Sequence, residues 1–355
     1  MTASDRGSDP VNETSRRRSR ERDALAEAIT VSASALGVST PNPPVGAVVL
    51  DSAGEVVGRG ATETPGARHA EVVALDQAGE RSRGGTLLVT LEPCDHHGRT
   101  GPCTARALAA GVRRVVYAVG DPNPVAAGGA ETLRRAGVEV TPADDDEVAA
   151  AEDGPLRAWL HRQRSGRPYV TWKYAASLDG RVAAADGTSR WITGPASRRH
   201  VHGRRQEIDA LVVGSGTRLA DDPSLTARLD DGTPARRQPL RAVMGLTDVP
   251  AEAAVRGTDG RFRHLATRDP AEALALLGDV HHVLVEGGPT LAGAFLAAGL
   301  VDEVEAYLAP LVLGAGRSAV DGAGVSTLAG AHGFEIRQTD LLGADIYLRL
   351  TARSS

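Results

Sequence analysis

One stretch of the chain, from Arg68 to Cys103, limits what the protein can fold into more than any other. Both cysteines of the 355 residues lie in it, together with His69 and, two residues later, Glu71. One imidazole and the thiolates of Cys94 and Cys103 are zinc ligands, and three such ligands leave the fourth tetrahedral position open for water. Because bound zinc lowers the pKa of that water to about 7, the stretch predicts a hydrolytic metal centre.

The spacing of these residues defines the chemistry further. Glu71 is predicted to carry protons between water, substrate and leaving group, not to bind metal. The pattern H-x-E followed by P-C-x-x-C is typical of zinc nucleobase deaminases. The first part is present, but eight residues instead of two separate Cys94 from Cys103. His96 and His97 are therefore alternative ligands on the spacing alone.

The position of His69 follows from helix geometry. Residues i and i+2 of a regular helix point about 200° apart. His69 and Glu71 can face one bound water only if His69 lies in the turn that enters the helix. We therefore expect the helix to begin after His69 and to continue to Gly79.

Three segments around these residues resemble a known family. HAE, LEPCDHHGRTGPC and TPNPPVGAVV are similar to the bifunctional deaminase/reductase of riboflavin biosynthesis, whose deaminase has the long cysteine spacing. In the second half, KYAASLDGRVAAADGTSRWITG and VLVEGGPTLAGAFLAAGLVDEV resemble the reductase of the same enzymes. The resemblance implies an N-terminal cytidine-deaminase-like α/β/α domain and a C-terminal dihydrofolate-reductase-like α/β domain. It also makes His96, His97 and Asn42 pocket residues of the deaminase.

The order of apolar and polar segments predicts four regions. Residues 1–21 form a disordered polar tail, 22–148 the zinc deaminase domain, 149–167 a linker, and 168–352 the reductase domain. In the deaminase domain we expect five strands, at Val45–Leu50, Val56–Gly58, Thr86–Leu91, Arg114–Val119 and Val138–Val140. Besides the helix after His69, we expect helices from Arg22 to about Leu36, from near Cys94, from Cys103, and at Glu131–Ala136.

Composition excludes several classes of function. The formal net charge is −5 and aromatic residues make up 3%, so neither nucleic acid nor an anionic membrane is an expected partner. No apolar run approaches the length of about 20 residues that a membrane span needs. Two cysteines that both serve as metal ligands fit a reducing cytoplasm. We expect a cytoplasmic homo-oligomer that acts on a small phosphorylated pyrimidine.

The resemblance assigns residues of the second half to NADPH and to substrate. The cofactor is expected along Ala175, Trp191, Thr217, Asp221, Gly287 and Gly288. The substrate is expected along Ser189, Arg205, Leu225, Arg228 and Glu286. Arginines suit a ribose phosphate because their forked donors bind it through two hydrogen bonds.

Two glycine-rich turns are candidate binding sites for the cofactor phosphates. The turn Glu286–Thr290 comes where a strand ends and a helix begins, so free backbone N–H groups can bind phosphate there. Gly314–Ala319 matches G-x-G-x-x-A, but it lies too late in the chain for a complete dinucleotide-binding unit. We interpret the second turn as a chance match.

Two positions depart from the family pattern. Thr62 stands where the family has a histidine, so a substrate contact is missing or comes from another group. Gly245 stands where an aspartate is usual, which affects the adenosine end of the cofactor pocket.

Lys173 is the only lysine of the chain. Arginine replaces lysine wherever a positive charge suffices, so this position indicates a need for a compact ammonium group. We predict that Lys173 ends an apolar strand and reaches the ribose oxygens beside Asp221 or Glu286. A structural ion pair is the alternative.

The resemblance implies two successive reactions. The first is zinc-dependent hydrolytic deamination of 2,5-diamino-6-ribosylamino-4(3H)-pyrimidinone 5′-phosphate, and the second is NADPH reduction of the ribosyl group to ribityl. The alternatives are a tRNA deaminase that uses the basic run Arg16–Arg20, and a non-catalytic homologue. A tRNA deaminase would have no use for the reductase-like second half of the chain. The intact His69, Glu71, Cys94 and Cys103 argue against a non-catalytic homologue.

Overall fold

The computed structural model describes residues 10–96 and 101–353. The chain divides between Arg164 and Ser165 into two compact units. Within the described ranges, no helix is both long and apolar enough to cross a membrane.

The first unit is a five-stranded sheet with helices packed on it. Its strands are arranged in the order β2-β1-β3-β4-β5, with β1 antiparallel to its two neighbours and β3, β4 and β5 parallel. The strands are β1 (Gly46–Leu50), β2 (Val56–Ala61), β3 (Thr86–Leu91), β4 (Arg114–Val119) and β5 (Glu139–Pro142). The helices are α1 (Pro10–Ser32), α2 (Ala70–Ala78), α3 (Cys103–Ala110), α4 (Gly129–Arg135), α5 (Asp145–Asp153) and α6 (Arg157–Ser165).

Glycines in β2 let α2 approach the sheet closely. A Cβ at Gly58 would lie 2.1 Å from the carbonyl oxygen of Ala74, and one at Gly60 would lie 2.2 Å from that of Ala70. Only a residue without a side chain fits at such distances. Because α2 follows His69 directly, this contact sets the depth at which His69 and Glu71 enter the unit.

The N-terminal helix begins earlier than the sequence indicates. Residues 1–9 of the expected disordered tail lie outside the described residues, but α1 starts at Pro10 and includes the basic run Arg16–Arg20. Glu21 holds the part of α1 directly before the expected start, since its buried carboxylate accepts a hydrogen bond of 2.8 Å from Nε of buried Arg114 on β4. A charged residue in this position needs its partner, and the pair keeps this part of the helix on the unit.

The segment expected to be a linker, 149–167, is also mostly helical. α5 and α6 occupy most of it, and Leu156, Trp159 and Leu160 are buried in the same core as the sheet of the first unit. The acidic residues that suggested a linker instead form the start of α5, where Asp144 and Glu147 make a capping box.

The second unit is a mixed eight-stranded sheet, as expected for a reductase of this kind. The order is β12-β13-β11-β6-β10-β7-β8-β9, parallel from β11 to β9 and antiparallel at β11-β13-β12. The strands are β6 (Tyr169–Ser177), β7 (Ala210–Gly214), β8 (Leu240–Met244), β9 (Phe262–Leu265), β10 (His282–Val285), β11 (Glu303–Ala309), β12 (Phe334–Leu342) and β13 (Asp345–Ala352). The helices are α7 (Pro195–Glu207), α8 (Ser215–Asp221), α9 (Pro270–Leu276) and α10 (Pro289–Ala297).

Lys173 lies in the middle of β6, not at the end of a strand. The strand continues to Ser177 because β11 pairs with it in parallel over seven residues, from Glu303 opposite Thr171 to Ala309 opposite Ser177. The second glycine turn, Gly314–Ala319, is followed by irregular chain and not by an α-helix. It therefore lacks the helix N-terminus that a phosphate-binding turn requires.

Candidate active sites

The first site is a cluster of one imidazole and two thiols. His69 is the N-cap residue of α2 with extended backbone angles, φ −75° and ψ 162°, so the prediction that it precedes the helix is confirmed. Its Nδ1 lies 3.6 Å from Sγ of Cys94 and 3.3 Å from Sγ of Cys103. Within the described part of the chain, these three residues form the one group of potential metal ligands, with ligand atoms within 4.8 Å of one another.

The distances fit a tetrahedral zinc ion. Bond lengths of about 2.3 Å to sulfur and about 2.0 Å to nitrogen place tetrahedral N and S ligands about 3.5 Å apart. The two observed N–S distances, 3.6 and 3.3 Å, are close to that value. The donor set also suits zinc, which binds imidazole and thiolate together.

The two cysteines come from different kinds of structure. Cys103 is the first residue of α3, as predicted. Cys94 lies in irregular chain after β3, and the expected helix start at Cys94 is absent from the described residues. His97 lies outside the described residues. His96 is not part of the ligand group, and its buried Nδ1 has no protein partner within the described chain.

The side chains of this cluster shift one another's pKa values even without a metal ion. Burial raises the pKa of Glu71 to about 7. The hydrogen bond from Cys103 lowers the pKa of Cys94 to about 4, and the same contact raises that of Cys103. Such shifts concentrate at functional sites. A bound dication would favour the deprotonated form of both thiols.

Asn42 and Thr62 differ in burial and in their hydrogen bonds. Asn42 is half-buried in the loop before β1, and its backbone N–H donates to the carbonyl of Ser39 over 2.7 Å. Thr62 is buried, and its hydroxyl accepts a hydrogen bond of 3.1 Å from the backbone N–H of Val45. Thr62 therefore has a role in joining two segments of backbone at the entrance of β1.

The second unit contains a buried group of one carboxylate and two cations. Arg205 on α7 binds Glu286 through two hydrogen bonds of 2.9 and 2.8 Å, and Nζ of Lys173 lies 3.8 Å from the same carboxylate. Burial raises the pKa of Glu286, but the charges of Arg205 and Lys173 outweigh it and lower that pKa to about 2. Burial lowers the pKa of Lys173. The structure thus brings three predicted residues together.

The other predicted substrate residues lie on loops. Leu225 is buried with φ +53°, a left-handed conformation that is uncommon for a residue other than glycine and that concentrates at functional sites. Arg228 is exposed, and its guanidinium donates to the hydroxyls of Thr226 and Ser224 over 3.2 and 3.1 Å. Ser189 lies in an exposed loop. Arg205 also donates to the carbonyl of Thr226, over 3.0 Å, so it holds the Leu225 segment beside Glu286.

The predicted cofactor residues surround the ends of neighbouring strands. Ala175 is on β6, Thr217 and Asp221 are on α8, and Gly287 and Gly288 lie between β10 and α10. A Cβ at Gly288 would lie 3.8 Å from the hydroxyl oxygen of Thr217, so the glycine turn is next to α8. The indole of Trp191 is 70% exposed.

Several contacts of these residues were not predicted from the sequence. The guanidinium of Arg198 stacks on Trp191, 4.6 Å from the ring centroid, and Arg190 lies 3.4 Å from the carboxylate of Asp221. Nζ of Lys173 lies 5.5 Å from the ring centroid of Tyr307 on β11. The repeated arginines of α7 were a possible signal for the first contact, whereas the contact with Tyr307 depends on strand pairing across more than 130 residues.

Gly245 follows β8 in a conformation that excludes other residues. Its φ is +142°, and a Cβ there would lie 2.1 Å from the hydroxyl oxygen of Ser215. That hydroxyl donates to the carbonyl of Met244 over 3.2 Å. The aspartate usual at this position therefore does not fit this chain, and Ser215 occupies the space.

Comparison with known proteins assigns a class to each unit. Residues 18–119 match the cytidine and deoxycytidylate deaminase zinc-binding region, and residues 168–348 match the RibD C-terminal domain. The chain therefore joins a zinc deaminase to a reductase, and its cofactors are Zn²⁺ and NADPH. The alternatives of a nucleic-acid deaminase and of a non-catalytic homologue are not favoured.

Relatives of known sequence and structure match over almost the whole chain. The riboflavin biosynthesis protein RibD of Mycobacterium tuberculosis H37Rv is 50% identical over 331 residues, which are 93% of this chain and 97% of the relative. The RibD protein of Escherichia coli K12 is 39% identical over 92% of this chain and 98% of its own length. An Acinetobacter baumannii RibD structure covers 95% of this chain and 99% of its own, with 34% identity and a TM-score of 0.83. The chain belongs to the RibD family.

Replacement of Gly245 tests the close contact at the end of β8. We expect Gly245→Ala to lower the free energy of unfolding of the second unit by about 1–3 kcal/mol, because overpacking adds to an unfavourable φ. Adding Ser215→Gly should recover part of the loss. Calorimetric unfolding of the full chain measures both effects.

The control is Gly260→Ala. Gly260 also has a positive φ, +70°, but a Cβ there would meet no atom within 4 Å. If Gly245→Ala is no more harmful than Gly260→Ala, the contact with Ser215 does not restrict this position.

Proposed function

We propose that the chain catalyses two consecutive steps of riboflavin biosynthesis. The first unit deaminates 2,5-diamino-6-ribosylamino-4(3H)-pyrimidinone 5′-phosphate, and the second reduces the ribosyl group of the product to ribityl with NADPH. The observation that supports this most directly is the cluster of His69, Cys94 and Cys103 beside buried Glu71, in a chain whose other half matches a RibD reductase. A Thermotoga maritima relative with a TM-score of 0.84 is described as a diaminohydroxyphosphoribosylaminopyrimidine deaminase/5-amino-6-(5-phosphoribosylamino)uracil reductase.

In the deaminase, His69, Cys94 and Cys103 would hold zinc, which supplies a Lewis acid that activates water for attack on the amino-bearing ring carbon. Glu71 moves the protons. It takes one proton from the attacking water and gives it to the ring nitrogen. It then carries the remaining proton of the added hydroxyl to the amine, which leaves as ammonia while the ring carbon becomes a carbonyl. A pKa of about 7 suits a group that must accept and release protons at neutral pH. Asn42 and His96 would orient the pyrimidine.

In the reductase, hydride addition to the anomeric carbon requires a proton at the ring oxygen of the ribose. Lys173 is proposed as the group that holds this oxygen and supplies the proton, since burial lowers the pKa of its ammonium and Glu286 orients it at 3.8 Å. Because Arg205 is already paired with Glu286, its role is to fix that carboxylate and the Leu225 segment. Arg228, whose guanidinium is exposed, is the better candidate for the substrate phosphate. Ser189, in its own exposed loop, is a second candidate for a substrate contact.

NADPH would lie along Ala175, Thr217, Asp221 and the turn of Gly287 and Gly288. At the start of α10, Pro289 has no N–H and that of Leu291 donates to the carbonyl of Gly288, so the backbone N–H groups of Gly288 and Thr290 would be the donors to its phosphates. Trp191, stacked on Arg198, would form one wall. The two free thiols at the metal site fit a reducing compartment, which supports a cytoplasmic location.

We also propose that the protein is a homo-oligomer. β12 is an edge strand of the second sheet, and it is almost entirely exposed. Ile336 and Leu341 on β12 and Ile346 on β13 are exposed. They lie on one face of this ribbon because Leu341 pairs with Ile346, and Ile336 pairs with Leu350, four residues further along β13. An exposed edge with an apolar face favours pairing with another chain, and a second copy carries the same surface.

Glu71→Ala tests the division of roles at the metal site. Purified wild-type protein should contain about one zinc per chain, and the variant should keep that zinc while losing deamination, because Glu71 moves protons and is not a ligand. Metal analysis and a deaminase assay measure the two properties separately. Loss of zinc, or normal deamination, would contradict the assignment.

Lys173→Arg tests the need for a compact ammonium group. The variant should have normal zinc content and deaminase rate but at least a tenfold lower reductase kcat/KM, which corresponds to about 1.4 kcal/mol of transition-state stabilisation. The guanidinium keeps the positive charge but not its position. Steady-state kinetics with the deaminated intermediate provide the measurement, and a wild-type rate would show that Lys173 forms only a structural ion pair.

Leu341→Arg tests self-association through the ribbon. A charged side chain on the apolar face should shift the protein to monomer, as measured by sedimentation velocity. Leu276→Arg, on the exposed side of α9, is the matched control and should keep the wild-type state. Equal sedimentation of wild type and Leu341→Arg would exclude this surface as the interface.

A further inference from the structure

Asp95 connects the two segments that carry the cysteines. It follows Cys94 directly, and one of its carboxylate oxygens accepts a hydrogen bond of 2.6 Å from the hydroxyl of Thr104, the residue after Cys103. The backbone N–H of Thr104 also points to the carbonyl of Cys94, over 3.3 Å. The segments of the two thiols are thus joined by one side-chain bond and one backbone bond.

The other carboxylate oxygen of Asp95 reaches a third element. It accepts a hydrogen bond of 2.6 Å from the hydroxyl of Thr132 on α4. The backbone N–H of Asp95 donates to the carbonyl of Ala126, over 3.2 Å, in the loop before α4. Asp95 therefore receives two short bonds from different helices, α3 and α4, and its own loop is fixed on both sides.

A second carboxylate holds α4 in the same place. Glu92 accepts hydrogen bonds from the backbone N–H groups of Ala130, over 2.9 Å, and Asp121, over 3.3 Å. The N-terminus of α4 lies directly against the loop, since a Cβ at Gly129 would lie 1.8 Å from the carbonyl oxygen of Pro93. α4 is therefore a firm support for Asp95.

The long spacing between the two cysteines explains why a link between their segments matters. With eight residues between Cys94 and Cys103, the covalent chain by itself leaves the distance between the thiols free, and closing a longer loop costs more entropy. The bond from Asp95 to Thr104 replaces this path by a direct link between neighbours of the ligands. Groups that orient metal ligands in this way typically affect metal affinity by about 10–100-fold.

We propose that Asp95 is a positioning residue of the metal site, which holds Cys94 and Cys103 at ligand distance through its bond to Thr104. The inference rests on the proposed role of these cysteines as zinc ligands. Asp95 does not bind the metal itself. Its contribution is to reduce the freedom of the two thiols before zinc binds and to slow their separation afterwards.

Zinc release from the full-length protein into an excess of a chelating dye tests the proposal. Asp95→Ala and Thr104→Val should each release zinc at least tenfold faster than wild type. Because both remove the same bond, the double variant should release zinc no faster than the more affected single variant. Asp95→Asn keeps one carbonyl oxygen for Thr104 and should restore a rate within about threefold of wild type.

Asp51→Ala is the matched control. Asp51 lies in the same unit, and its carboxylate also accepts hydrogen bonds, in this case from the backbone N–H groups of Ala53 and Glu55 and from Arg81, but it is next to neither cysteine. This variant should release zinc at the wild-type rate. With cobalt(II) in place of zinc, the thiolate-to-cobalt absorption should shift in Asp95→Ala and stay unchanged in Asp51→Ala.

The outcomes separate the two proposals. Wild-type protein without zinc would overturn the metal site itself. If wild type contains zinc but Thr104→Val releases it at the wild-type rate, the role of Asp95 alone is overturned. Thr104→Val also decides the question if Asp95→Ala does not fold. Equal acceleration by Asp51→Ala, or additive effects in the double variant, would show that Asp95 acts only through general stability.

Discussion

The cost of burying charge organises both units. An ionisable group taken out of water must be paired, or it becomes neutral. In the first unit, His69 and the two thiols form one such set, and buried Glu71 responds with a raised pKa. In the second unit, Glu286 is balanced by Arg205 and Lys173. One member of each set lies just beyond the end of a strand: Cys94 follows β3, and Glu286 follows β10.

Strand positions and the close grouping of His69, Cys94 and Cys103 were predictable from sequence for simple reasons. Thr86–Leu91 and Arg114–Val119 match the observed strands residue for residue, because each is a short run rich in β-branched and apolar residues bounded by turn residues. His69 before the helix followed from the requirement that it face the same water as Glu71. In these cases local chemistry decides the structure.

The remaining features depend on partners far away in sequence. Polar composition suggested a mobile tail, but Glu21 pairs with Arg114, 93 residues later. Charge suggested a linker, but Trp159 packs into the core of the first unit. Apolarity suggested that the strand ends at Lys173, but β11 extends it. The spacing of residues along the sequence indicated the two cysteines as candidate ligands. Only the tertiary structure shows that Asp95 joins their segments.

The solitary lysine has a practical consequence for chemical labelling. The sequence contains one side-chain amine, Nζ of Lys173. Burial lowers the pKa of that amine, which increases its unprotonated, nucleophilic fraction at a given pH. An amine-directed reagent small enough to enter therefore modifies a single side chain, next to Glu286. The extent of modification becomes a direct measure of how accessible Nζ of Lys173 is.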